Sequence, residues 1–134
     1  MSCLSLVFIF RYLEQFMLKE KPKDIEWNEL NEKKLPILFN FSLCKFHLND
    51  FYSCIEHTNT ILECQPKNVK ALFRRGKAHM GVWDINEAKV DFEKCRELDP
   101  TLEKDVQAQL DYLNQIISKR EKEEREKFKG KLFR

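Results

Sequence analysis

Apolar positions recur every three or four residues along most of this 134-residue chain, the spacing of helices that bury one face. Leu6, Phe10, Leu13 and Met17 share one stripe and predict a first helix over residues 4–19. A polar connection over 20–26 holds Pro22, and Asp24 is a candidate cap for the next helix. That second helix is predicted over 27–48, with Pro36 inside it either as a kink or as the start of a separate helix. Asn49 and Asp50 read as a turn into a helix over 51–63, with Tyr52, Ile55, Thr58, Asn59 and Leu62 along one side. Gln65-Pro66-Lys67 breaks the chain before a helix over 69–81 and a turn at Val82-Trp83. Asp84, with Glu87 three residues later, has the form of a capping box opening a helix that closes at Asp99-Pro100. The rest, from 101 to about 129, reads as one long helix, with Val106, Leu110, Leu113 and Ile117 spaced four, three and four.

Part of this pattern occurs twice. Pro66 and Pro100 are 34 residues apart, as are Asn40 and Arg74, Phe41 and Arg75, and Cys54 and Ala88. A fixed period of 34 with two helices per unit is the signature of the tetratricopeptide repeat. In the second copy the large apolar position is Leu72, the small residue at the helix crossing Gly76, the small residue of the partner helix Ala88, the aromatic Phe92 and the closing proline Pro100. The first copy holds Leu38, Ser42, Cys54, Thr58 and Pro66 there. Thr58 in the aromatic slot and Arg75 in an apolar slot depart from the pattern. The expected architecture is an all-α tetratricopeptide-repeat solenoid of antiparallel helix pairs with a long C-terminal capping helix. Residues 1–34 would be the remnant of a first repeat plus an insertion, 35–68 and 69–102 repeats, and 103–134 the capping helix and a charged tail.

Length bounds the chain to one domain. Three glycines and four prolines leave little room for long loops. A net charge of +2 does not by itself imply nucleic acid, and no aromatic platforms interleave the basic residues. The five cysteines, an odd number without CxxC spacing, read as reduced thiols in a cytoplasmic protein. Residues 1–10 form the one apolar run, too short to span a bilayer and without a basic leader. His47, His57 and His79 have no cysteine or carboxylate partner at ligand or nucleophile spacing, with His79 at a packing position, so neither metal, cofactor nor enzymatic activity is expected.

The informative chemistry is basic. Lys67, Lys70, Arg74, Arg75 and Lys77 fall within eleven residues that contain no acid. Lys70 and Arg74 are four apart and share a helix face. One reading is a solvated basic face. The other is a binding groove, favoured because Asn40 takes the position of Arg74 one repeat earlier and first helices line the concave side of such stacks. An ammonium, a guanidinium fork and a carboxamide suit a carboxylate, and a peptide ending in an acidic residue offers two. Lys77 is a supporting candidate in the same groove.

On Asn40, Lys70 and Arg74 the chain also resembles the tetratricopeptide co-chaperones, which grip the acidic C-terminal tail of heat-shock chaperones with a five-residue carboxylate clamp. NVKALFRRGKAHMGVW, then EAKVDFEKCRELDP, resembles the aryl hydrocarbon receptor-interacting protein family, as does LEQFMLKEKPKDIEWNELNEKKLPILFNFSLCKF upstream. The resemblance covers about residues 11–134. It implies a chaperone-tail partner of the ninety-kilodalton class and client proteins, such as a ligand-activated transcription factor. Phe128, Leu132 and Phe133, on an otherwise charged tail, are candidate client contacts. The family's immunophilin-like domain and the first helix of its first repeat, with the other two clamp residues, have no counterpart in this sequence. Weakened tail binding and self-association through the incomplete repeat are therefore expected. The alternatives are a scaffold acting through its C-terminal helix without tail binding, or a piece of a peptidyl-prolyl isomerase-type protein, whose activity would need the absent domain.

Overall fold

The computed structural model describes residues 4–5, 7–9, 11–12, 15 and 25–132, nearly all of them helical. The stripe Leu6, Phe10, Leu13 and Met17, the cap Asp24 and the contact residue Phe133 lie outside the described residues. Among the described residues from 25 onward, five helices succeed one another: α1 (Ile25–His47), α2 (Phe51–Cys64), α3 (Val69–Gly81), α4 (Ile85–Leu98) and α5 (Glu103–Leu132), the last entered through a 3₁₀ turn at Pro100–Leu102. There is no strand among the described residues. Each helix packs on the next, and α1 also reaches α3. Such stacking is what a unit that cannot bury its apolar face alone requires.

Local chemistry accounts for the helix ends. The Asp50 carboxylate accepts from the Ser53 backbone N–H at 3.3 Å, and the Asn68 carboxamide oxygen accepts from that of Ala71 at 3.1 Å. Each satisfies an orphan donor of a first turn. Asp84 behaves differently from the capping box expected of it: it occupies the cap position but makes no side-chain cap bond. Its carboxylate lies instead 3.3 Å from His79 Nδ1. Pro36 does not divide α1, which runs through it with the proline exposed.

The 34-residue period returns in the turns. Asn49 N–H bonds the Phe46 carbonyl and Asp50 N–H that of Lys45; Trp83 bonds Met80 and Asp84 bonds His79 in the same way. Asn49 (φ 60°) and Trp83 (φ 66°) both take the left-handed conformation that ends a helix. Asn accepts it readily, whereas Trp is unusual there. Trp83 has a compensating contact, since the Arg120 guanidinium of α5 lies 4.4 Å from its ring centroid.

The core joins the two repeats. Leu38, Ile61, Leu72, Ala88, Phe92 and Val106 form one buried cluster. Gly76 is where α3 crosses α4, since a Cβ there would stand 3.0 Å from the Phe92 ring. On α2 the buried face is Cys54, Thr58, Ile61 and Leu62. Tyr52 and Asn59, expected on one side with Thr58 and Leu62, are exposed. The Thr58 hydroxyl in the aromatic slot donates to its own helix, to the Cys54 carbonyl at 2.9 Å. Val106 and Leu113 of α5 are fully buried, and α5 packs on α4 and covers its outer edge. From Ser118 onward every described residue is exposed.

Candidate functional site

The first helices of the two repeats, α1 and α3, together with the start of α5 enclose a groove of about 470 Å³. Its floor is apolar, with Phe39, Leu43 and Phe46 from α1 and Val69 and Phe73 from α3. Lys70, Arg74 and Lys77 line it from α3, and Leu102 and Asp105 close the α5 end. Helical spacing is the reason: positions 70, 73, 74 and 77 fall on one face. The aromatic floor escaped the sequence reading, although Phe39 and Phe73 are themselves 34 residues apart.

The cations differ in freedom. Among the described residues no acid stands within ion-pair distance of Lys70, Arg74 or Lys77. Lys70 is exposed. The Lys77 ammonium lies 5.2 Å from the Phe46 ring centroid. Arg74 is half-buried: its Nη1 donates to the Phe39 carbonyl at 2.8 Å and the Ser42 hydroxyl at 3.2 Å, and its guanidinium lies 3.9 Å from the Phe39 ring centroid. Burial lowers its pKa from the ordinary arginine value. Part of the guanidinium fork is thus committed to α1.

Asn40 does not share the main groove with Arg74. It is exposed on a neighbouring depression of about 260 Å³, beside Gln65, Asn68 and the exposed acid Glu32. Lys70 lines both depressions and connects them.

Arg75 belongs to the opposite face. Its Nε and Nη2 donate to the two Asp91 carboxylate oxygens at 2.8 and 2.6 Å, and its Nη1 to Asn59 Oδ1 at 2.9 Å. Asp91 is only 2% exposed, so this fork ties α3 to α4 and α2 from within. Bonding to Asp91 raises the arginine pKa. His79 Nε2 stands 3.9 Å from the same carboxylate. The five-cation cluster of the sequence is thus split, with one arginine spent on structure.

Among the described residues no group of histidine, cysteine and acidic side chains is placed to hold a metal. The four described cysteines are free thiols.

No family model matches the chain. Curated relatives do. The aryl-hydrocarbon-interacting protein-like 1 of Mus musculus is 35% identical over 120 residues, 90% of this chain and 37% of its own length. That of Bos taurus is 36% identical over 113 residues, 84% of this chain and 34% of its own length. The chain belongs to the tetratricopeptide-repeat region of the aryl-hydrocarbon-interacting protein family. It spans little more than a third of the length of these relatives. Solved structures agree on the fold. The first tetratricopeptide domain of Spaghetti (RPAP3), bound to the HSP90 peptide SRMEEVD, superposes with a TM-score of 0.59 at 22% identity, covering 87% of this chain and 93% of that one. The first such domain of human RPAP3 gives 0.60 at 20% identity, covering 90% of this chain and 98% of that one. The co-chaperone Cns1 of Saccharomyces cerevisiae gives 0.51 at 21% identity, covering 91% of this chain and 46% of that one.

Proposed function

We propose that this chain is a non-enzymatic co-chaperone module that captures the acidic C-terminal tail of a heat-shock chaperone and links it to a client protein. One observation carries the reading: three cations without an acidic partner among the described residues line an apolar groove on the repeats' first helices. In this reading Lys70 and the free part of the Arg74 fork hold the terminal carboxylates, Asn40 donates a hydrogen bond and Lys77 supports the preceding residues. A related fold holding an HSP90 peptide supports the choice of partner. The four free thiols, with no helix among the described residues long and apolar enough to cross a membrane, fit a cytoplasmic setting.

The test is a titration with a fluorescent peptide ending in Glu-Glu-Val-Asp at low and moderate salt. Saturable binding is expected, weakened by salt, by amidation of the terminal carboxylate and by Lys70→Ala. Equal affinity for the free acid and the amide would overturn the reading.

A second reading rests on Phe128 and Leu132, 64% and 62% exposed and four residues apart on the charged end of α5. They would contact a client. Replacing both by serine should abolish client capture and leave peptide binding intact.

A further inference from the structure

Arg74 and its chain neighbour Arg75 are held in parallel ways. In Arg75 one terminal nitrogen, Nη1, bonds Asn59 Oδ1, and the side edge made by Nε and Nη2 meets both oxygens of the Asp91 carboxylate. In Arg74 Nη1 is again the nitrogen taken up by the protein, here by the Phe39 carbonyl at 2.8 Å and the Ser42 hydroxyl at 3.2 Å. Two acceptors match the two N–H groups that a terminal guanidinium nitrogen carries. Nε and Nη2 of Arg74 bond nothing among the described residues. Among the described residues no buried side-chain nitrogen lacks a partner, so both reach solvent. The cavity that Arg74 lines is the groove. Arg74 thus presents to solvent the same edge that Arg75 gives to a carboxylate.

We infer that Ser42 is a positioning residue of the groove, holding Arg74 so that its Nε–Nη2 edge is the one offered to a carboxylate of a bound tail. The inference rests on the tail-binding reading above. Ser42 is fully buried and lines neither depression, so it acts only through Arg74. Its hydroxyl donates to the Phe39 carbonyl at 2.6 Å and accepts from Nη1. Hydroxyl and carbonyl therefore hold Nη1 together, while the Phe39 ring, with its centroid 3.9 Å from the guanidinium, supports one face. A guanidinium is a rigid plane, so fixing one nitrogen and one face fixes where the remaining edge points. Without the hydroxyl, Nη1 keeps one bond and the plane can turn about it. A two-bond contact with a carboxylate is sensitive to such turning, because both bonds need the same alignment. Ser42 also fills the small slot at a helix crossing, as Gly76 does one repeat later. That role needs no hydroxyl and would not couple Ser42 to Arg74 in peptide binding.

The test is a double-mutant cycle on the full chain with a fluorescent peptide ending in Glu-Glu-Val-Asp at low salt, each variant first shown to be helical by circular dichroism. Ser42→Ala should weaken binding about fivefold, the size of one net hydrogen bond. Added to Arg74→Ala, it should change affinity by less than about twofold, since the group it positions is gone. Added to Lys70→Ala, which leaves the Arg74 fork in place, it should again weaken binding about fivefold. Ser42→Gly, which puts the residue of the matching slot there, should act as Ser42→Ala does. In the wild type the Arg74 Nε–H resonance, assigned by its loss in Arg74→Lys, should move on saturation with the peptide. A Ser42→Ala chain that binds as tightly as the wild type or more so, an equal loss with and without Arg74, or an unmoved Nε–H resonance in the saturated complex would overturn the inference and leave tail binding standing. A wild-type chain that does not bind the peptide, or binds its C-terminal amide equally well, would instead overturn the tail-binding reading and this inference with it.

Discussion

Arg74 Nη1 donates a 2.8 Å hydrogen bond to the carbonyl oxygen of Phe39, one repeat earlier in the chain. The same guanidinium covers the Phe39 ring at 3.9 Å. Arg74 is thus a brace between α1 and α3 as well as a cation in the groove.

Arg74→Ala should therefore lower stability as well as peptide affinity. A hydrogen bond from a charged donor and a cation–π contact together contribute about 2 kcal/mol in a half-buried setting. Arg74→Lys keeps the charge but cannot both donate and stack in this way. Urea unfolding of the two variants should place lysine nearer to alanine than to arginine. A lysine variant as stable as the wild type would mean the brace is idle.

The Arg75–Asp91 pair should fail asymmetrically. Asp91 is 2% exposed, while the Arg75 side chain is 22% exposed and can reach water. Arg75→Ala strands a buried carboxylate, which costs about 3–5 kcal/mol. Asp91→Asn leaves a neutral oxygen for Arg75 to bond and should cost clearly less. Denaturant midpoints decide the order, and the reverse order would contradict the pair's assignment as buried acid and partly solvated base.

Gly76→Ala should destabilise, although alanine is the better helix former by about 1 kcal/mol. The new Cβ would stand 3.0 Å from Phe92 Cε1 and 3.1 Å from Cζ, and the Phe92 ring is fully buried. Overpacking of this kind costs about 1–3 kcal/mol. Thermal unfolding of the variant should show a lower midpoint than the wild type.

The helices and the repeat slots were legible because each obeys local rules. Period, turn residues and small residues at crossings place α2 to α4 within about a residue of their observed ends. What escaped depends on contacts between elements. Spacing alone turned Tyr52 and Asn59 toward the side of α2 that buries Thr58 and Leu62, yet both are exposed. Asp84 and Glu87 have the sequence of a capping box, but His79, one turn before, draws the Asp84 carboxylate away. Arg75 looked like a misplaced residue of the pattern until Asp91, sixteen residues on, supplied its partner. Asn40 shares the repeat position of Arg74 but not its depression, because repeat position fixes a face and neighbouring side chains divide it.

Cys54 gives a prediction in pH. Its thiol is fully buried, and desolvation pushes its pKa from the ordinary 9.0 up to about 11, Arg74 opposing the shift and Asp50 adding to it. Cys95, also fully buried, is raised to about 11 by desolvation first and Asp91 second. A thiol that ionises more readily unfolded than folded leaves stability unchanged below pH 9.0 and lowers it as pH rises from there toward about 11. By linkage each thiol should cost roughly 2 kcal/mol near pH 10.5. Cys54 occupies the slot that Ala88 fills one repeat later, so Cys54→Ala fits its site. Urea midpoints at pH 8 and near pH 10.5 should fall less for this variant than for the wild type. Parallel falls would mean that Cys54 is not the group that senses alkali.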